Sequence, residues 1–162
     1  MVKEFMGKDK FIPNSLKLLS QWMCWQSRPK DNGKTDKIPI NPHTGKLAKT
    51  NDPKTWGTFD QAVQYYEKHK GKGVDGIGFV FTKDDPYAGI DLDGCRNPET
   101  GVIEPWAVDI IKSINSYSEV SPSGTGVKIF CKGVLLGGGM KKGNIEIYDR
   151  GRFFTITGDV IE

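Results

Sequence analysis

A chain of 162 residues with 36% hydrophobic side chains, including four Trp, eight Phe and five Tyr, has the material for one ordinary core. Charged residues make up 27%, which excludes a wholly disordered chain, and the formal net charge of +3 by itself says little about partners. No apolar run approaches the roughly 18 residues that cross a bilayer, and Met1 to Lys10 lacks the apolar segment of a secretory signal, so the expected location is the cytoplasm.

Ser20 to Ser27 is rich in aromatic residues and reads as a strand. A polar stretch from Arg28 to Lys37 follows, with Asn32-Gly33 marking a turn, and Ile38-Pro39-Ile40-Asn41-Pro42 is extended because residues before proline avoid the helical region. Asp52-Pro53 has the form of a cap followed by a proline at the first helical position. Thr58 opens a helix over 59–69 with Phe59, Ala62, Val63 and Tyr66 on one face. Gly76 to Thr82 is a strand apolar on both faces and therefore central. Asp84-Asp85-Pro86 turns the chain into Tyr87 to Asp93, read as its partner strand. A helix over 105–115 places Ala107, Ile110, Ile111 and Ile114 at core spacing. Four short strands follow at 117–121, 126–132, 144–149 and 152–157, with Gly137-Gly-Gly139 as a flexible loop. The expected class is α+β, an antiparallel-rich sheet with helices on one side, in a single domain over 1–162. Residues 1–19 are an expected N-terminal extension, 20–158 the core, and the abrupt end after a strand suggests excision from a longer polypeptide.

Cys24, Cys95 and Cys131 form no Cys-x-x-Cys pair, and His43 and His69 do not stand near them at zinc-ligand spacing, so free thiols are expected rather than zinc. Basic residues gather early (Arg28, Lys30, Lys34, Lys37, Lys46, Lys49, Lys54) and late (Lys128, Lys132, Lys141, Lys142, Arg150, Arg152), with many acids between. Such segregation suits a basic rim around an acidic centre, although charge runs are ordinarily solvated surface.

Three stretches carry chemistry. In Gly89-Ile-Asp-Leu-Asp-Gly94, side chains two apart share a strand face, so Asp91 and Asp93 point the same way and Leu92 enters the core. Their mutual repulsion is relieved by a cation or by free water, and Mg2+ or Mn2+ takes hard oxygen ligands of this kind. In Ser121-Pro-Ser-Gly-Thr-Gly126, small residues let amides and hydroxyls approach an anion, and Ser121, Ser123, Gly124 and Gly126 are the candidate contacts. The Gly-Lys-Ser/Thr ending of a Walker loop is absent. On the next strand Lys128 lies opposite Val127 and Ile129, free to emerge beside that loop and meet a triphosphate. In Ile145-Glu-Ile-Tyr-Asp149, alternation turns Glu146 away from the core as a third acid, with Asp149 its competitor. Arg152 and the hydroxyls of Thr155 and Thr157 are available for phosphate or sugar.

Taken in order, Trp22 and Trp25, Lys37-Ile-Pro39, Trp56, Gly76-Ile-Gly-Phe79, Ile90-Asp-Leu-Asp93, Ser121-Pro-Ser-Gly-Thr-Gly126, Glu146-Ile-Tyr148 and Gly151-Arg-Phe-Phe-Thr-Ile-Thr-Gly158 resemble the N-terminal primase–polymerase domain of phage and plasmid replication proteins, in the archaeo-eukaryotic primase superfamily. The resemblance implies a two-lobed α+β fold around a recognition-motif-like sheet. It implies Asp91 and Asp93 as metal-binding acids, Ser123 and Lys128 at a phosphate-contacting motif, and Glu146 as the third acid. Lys128 stands where histidine is usual; lysine keeps the charge but does not titrate near neutrality unless buried.

The implied activity is template-directed nucleotidyl transfer by a primase, a DNA polymerase or both. A two-metal mechanism would use Asp91, Asp93 and Glu146 with Mg2+ or Mn2+, and Lys128, Arg152 and Lys37 would neutralise phosphate. The implied partners are nucleoside triphosphates, a single-stranded DNA template or primer–template, and a helicase located elsewhere, with no membrane. The alternatives are a single-strand or origin DNA-binding module without turnover, and a metal-dependent nuclease using the same acid pair.

Overall fold

The computed structural model describes residues 8–162. Their strands form two antiparallel sheets where the sequence pattern suggests one. In chain order the strands are β1 (Trp22–Pro29), β2 (Thr35–Ile40), β3 (Gly76–Phe81), β4 (Tyr87–Leu92), β5 (Tyr117–Val120), β6 (Val127–Lys132), β7 (Gly139–Lys142), β8 (Ile145–Tyr148) and β9 (Arg152–Ile156). The first sheet has the order β2-β1-β3-β9 and the second β5-β6-β4-β8-β7. The helices are α1 (Asn14–Lys17), α2 (Phe59–His69) and α3 (Pro105–Ile114). The α+β class holds, and no helix among the described residues is long and apolar enough to cross a membrane.

The pairing of β3 with β4 does not hold. β3 ladders with β1 and β9, whereas β4 ladders with β6 and β8. The turn between them explains the change of sheet. The buried Asp85 carboxylate accepts from the backbone N–H of Thr82 (2.8 Å) and Tyr87 (2.7 Å) and from the Gln21 side chain (2.8 Å). The two backbone N–H groups are ones that a continuing hairpin would have paired across its strands. Asp85→Ala leaves the Thr82 and Tyr87 N–H groups without an acceptor, while Gln21 keeps Val80 O, and is expected to cost about 3 kcal/mol of stability in urea unfolding. A cost below about 1 kcal/mol would mean that water replaces the carboxylate there.

Local rules account for the other elements. Thr58 and Gln61 form a reciprocal capping box, with Gln61 N–H donating to Thr58 Oγ1 (3.1 Å) and Thr58 N–H to Gln61 Oε1 (2.9 Å). The α2 helix then buries Phe59, Ala62 and Val63 against Trp22, Cys24, Ile77 and Phe79 of the first sheet. Every residue of β3 is buried, as its doubly apolar pattern demands. Ile12 and Leu16 close the same core from the N-terminal side, within the segment read as an extension. Pro105 opens α3, and Asn115 ends it with a φ of 49°. Ala107, Ile110 and Ile111 cover the back of the second sheet at Ile90, Leu92, Val127 and Ile129. Ile114 falls outside that core, exposed at the helix end.

The second sheet leaves its front face, that of Tyr87, Gly89 and Asp91, to meet the first. β9 belongs to the first sheet but runs across this front. Arg152 lies 4.8 Å over the Tyr148 ring on β8, Phe154 receives the Lys128 ammonium of β6 at 4.7 Å, and the Thr157 N–H reaches Glu119 on β5. One end of the front face is thereby sealed by Phe130, Phe154, Tyr117 and Phe81. The other end carries charge.

Candidate active site

Antiparallel register builds a charged row across that front. Asp91 on β4 stands directly opposite Lys128 on β6 and Glu146 on β8; beyond them, Glu119 on β5 opposes Lys128 and Lys141 on β7 opposes Glu146. Directly opposed residues hold their Cβ atoms within about 5.5 Å, so each interacts with both neighbours. The Lys128 ammonium is 3.2 Å from Asp91 Oδ1, and the Lys141 ammonium is 2.9 Å from Glu146 Oε1. The neighbouring carboxylates are thus each held by a lysine. Among the described residues no group of three His, Cys, Asp or Glu side chains converges as a metal site.

Asp93 lies just past β4, its N–H donating to Asn144 O (2.8 Å), which fixes the end of the strand. Lys37, across on β2, feels the same acids: loss of hydration and the charge of Lys128 lower its pKa, against the opposing pull of Asp91 and Asp93. Glu146 is held below the usual carboxylate range mainly by the hydrogen bond from Lys141, with a second from Tyr148 (3.1 Å). Arg152, stacked on Tyr148, flanks that acid.

Lys128 departs from expectation. It faces the front, opposite Val127 and Ile129, but only 8% of it is exposed, because Phe154 covers it and Asp91 pairs with it. Thr155 is buried with its hydroxyl unpartnered and so is closed to a phosphate or sugar, and Thr157, half-buried, donates its hydroxyl to Val120 O (2.7 Å). Asp149, the competing third acid, lies outside the row. Its oxygens accept from Leu135 N–H (2.8 Å) and from the Arg150 guanidinium (2.8 Å), bracing the loop before β7.

The 121–126 loop sits against the end of β4. A Cβ on Gly126 would come within 2.8 Å of Leu92 O, and Gly124 has a φ of +77°, so both positions need glycine. Arg96 Nη1 donates to Gly124 O (2.8 Å), while the Ser121, Ser123 and Thr125 hydroxyls chain to one another at 3.0 and 2.8 Å. A cavity of about 650 Å³ opens on the side of Arg96, Ser121, Ser123 and Gly124.

Glu119 and Lys141 are the members of the row that the sequence pattern does not single out. Glu119 is fully buried; its carboxylate accepts from Thr157 N–H (2.9 Å), Gly158 N–H (3.0 Å) and the Tyr117 hydroxyl (2.7 Å), tying the end of β9 to β5. Burial raises its pKa from 4.5 to about 7, against those donors and Lys128. Between these values the folded chain keeps a proton that the unfolded chain has lost, so stability falls as pH rises through that window. Relative to Glu119→Gln, the natural chain is expected to lose on the order of 3 kcal/mol between pH 4 and 8, read by urea unfolding. A pH-independent difference would mean that folding leaves the Glu119 pKa unshifted.

No family model matches the chain. Its sequence is 36% identical over 154 residues to a protein of Nitratiruptor phage NrS-1 named DNA primase-polymerase, an alignment covering 91% of this chain and 20% of that protein. The chain therefore spans about a fifth of the length of the relative it matches.

Proposed function

We propose that this chain, a relative of part of a phage DNA primase–polymerase over nearly all its length, is a catalytic domain that adds nucleotides to a primer strand, or starts one, on a single-stranded DNA template. The observation that supports this most strongly is the row Lys128–Asp91–Glu146–Lys141: two carboxylates in direct register, flanked on both sides by ammonium groups. Such a face suits a nucleoside triphosphate with its cation, because it offers oxygens to the metal and cations to the phosphates.

Asp91, Asp93 and Glu146 fit Mg2+ or Mn2+ in kind: hard anionic oxygens, with Asp91 and Glu146 adjacent and partly exposed. A bound divalent ion would neutralise triphosphate charge and make the 3′-hydroxyl a better nucleophile. The transfer joins the 3′ oxygen to the α-phosphorus as the bond to the β-phosphate oxygen breaks, and pyrophosphate leaves. Arg152, Lys141 and Lys37 border the acids and would take the phosphate charge. Lys128, too enclosed to reach out, would keep Asp91 aimed. The 121–126 loop would meet the nucleotide through backbone amides and Arg96 once the Ser121–Ser123–Thr125 hydroxyl chain opens. In this reading the two sheets are the two lobes of a primase-like fold, acting in phage or plasmid replication.

Extension of a primed single-stranded template with Mn2+ or Mg2+ tests the proposal. Metal-dependent addition of nucleotides supports it; absence of extension by a folded chain that still binds single strands would favour a binding module instead. The enclosure of Lys128 is what favours that second reading, since a pinned lysine supplies no mobile phosphate contact.

A further inference from the structure

The acids of the front face stand among lysines: Lys128 pairs with Asp91, Lys141 pairs with Glu146, and Lys37 is near enough to feel the charge of Asp91 and Asp93. The two lysines in contact with the acids are not equivalent. The side chain of Lys128 is 10% exposed, with Phe154 over it and Glu119 beside it in register, and it has nowhere to go. The side chain of Lys141 is 66% exposed, on the edge strand β7, and Glu146 is its ion-pair partner among the described residues. Holding it there gains little in water, so leaving is cheap once another anion is offered.

We propose that Lys141 is a displaceable counter-ion: it occupies Glu146 in the metal-free protein and gives that carboxylate up to a divalent cation when a triphosphate arrives to receive its ammonium. This rests on the reading of Asp91, Asp93 and Glu146 as the metal ligands. A divalent ion arriving alone must evict Lys141 from its anion and approach two further ammonium groups. A metal arriving with a triphosphate brings an anion for the evicted ammonium, so each ligand improves binding of the other, by the same factor in both directions. Tyr148, which donates to the other oxygen of Glu146, keeps the carboxylate oriented during the exchange.

The test is Mn2+ binding, read from the paramagnetic resonance signal of free Mn2+, for the whole chain with and without a non-hydrolysable triphosphate, the Mn2+ taken up by the triphosphate alone being subtracted by a protein-free titration. The natural chain is expected to bind Mn2+ about tenfold more tightly with the nucleotide than without it. Lys141→Ala should tighten Mn2+ binding by the nucleotide-free chain several-fold and shrink that coupling, while Lys141→Arg preserves it. Unchanged or weaker binding by nucleotide-free Lys141→Ala, alongside nucleotide-coupled binding by the natural chain, would overturn the counter-ion role alone. If the natural chain binds no Mn2+ even with nucleotide, or if Glu146→Gln binds as well as the natural chain, the metal-site reading falls and this inference with it.

Discussion

Asp93→Asn is expected to lower primer extension by a factor on the order of 1,000 while leaving the melting temperature within about a degree of the natural chain. Asp93 is exposed beyond the end of β4, and its strand-end anchor is a backbone bond to Asn144, which the amide keeps. Asp91→Asn should lose at least as much activity, but with a different stability signature. Its carboxylate is the partner of the enclosed Lys128 ammonium at 3.2 Å, and the substitution leaves that ammonium facing an amide on one side and Glu119 on the other. A loss of about 1–2 kcal/mol is expected in urea unfolding, because a charge-assisted bond becomes a neutral one. The pair of variants thus separates chemistry from folding: both silence extension, and Asp91→Asn alone also weakens the fold. Full extension by folded Asp93→Asn would remove that acid from the proposed ligand set, and full extension by folded Asp91→Asn would remove Asp91 and with it the reading of the charged row as the catalytic centre.

The elements specified by neighbouring residues are legible in the amino-acid sequence. The Thr58–Gln61 spacing announces α2 and its capping box, and the apolar run of β3 announces an interior strand. The period of β4 places Asp91 and Leu92 on opposite faces, as they are in the fold. Register between strands is not legible, because nothing local to Asp91 states that Lys128 and Glu146 will be its two direct neighbours. The change of sheet after β3 is hidden for the same reason: Asp84-Asp85-Pro86 has the form of a hairpin turn, and only the folded chain shows Asp85 consuming both adjoining strand N–H groups. Gly137-Gly-Gly139 conceals β7, since it reads as a loop although Gly139 already pairs with Tyr148. Nothing in the sequence pattern marks Glu119, which the passage of β9 over the front of the sheet buries. The enclosure of Lys128 escapes the sequence pattern likewise, since Phe154 arrives from the other sheet.

That passage of β9 leaves no room for a side chain at Gly89. A Cβ there would lie 2.4 Å from Phe154 Cε2 and 2.6 Å from Phe81 Cζ, two rings that themselves pack edge to face at 5.0 Å. Neither ring has open space to retreat into, because Phe130 stacks against Phe81 and meets Phe154 from the side. Gly89→Ala is therefore expected to cost about 3 kcal/mol, and Gly89→Val to leave little folded protein. Trimming the opposing ring should return part of the loss, so Gly89→Ala combined with Phe154→Leu is expected to be more stable than the sum of the two single costs predicts. The rescued fold carries a functional defect of its own. Phe154 is the cover over Lys128 at 4.7 Å, and with leucine there water reaches the ammonium that holds Asp91. The double variant should melt above Gly89→Ala alone yet extend primers more slowly than the natural chain, because one ring both joins the sheets and encloses the lysine. If it melts no higher than Gly89→Ala alone, the clash is relieved elsewhere and Phe154 does not set the spacing of the two sheets.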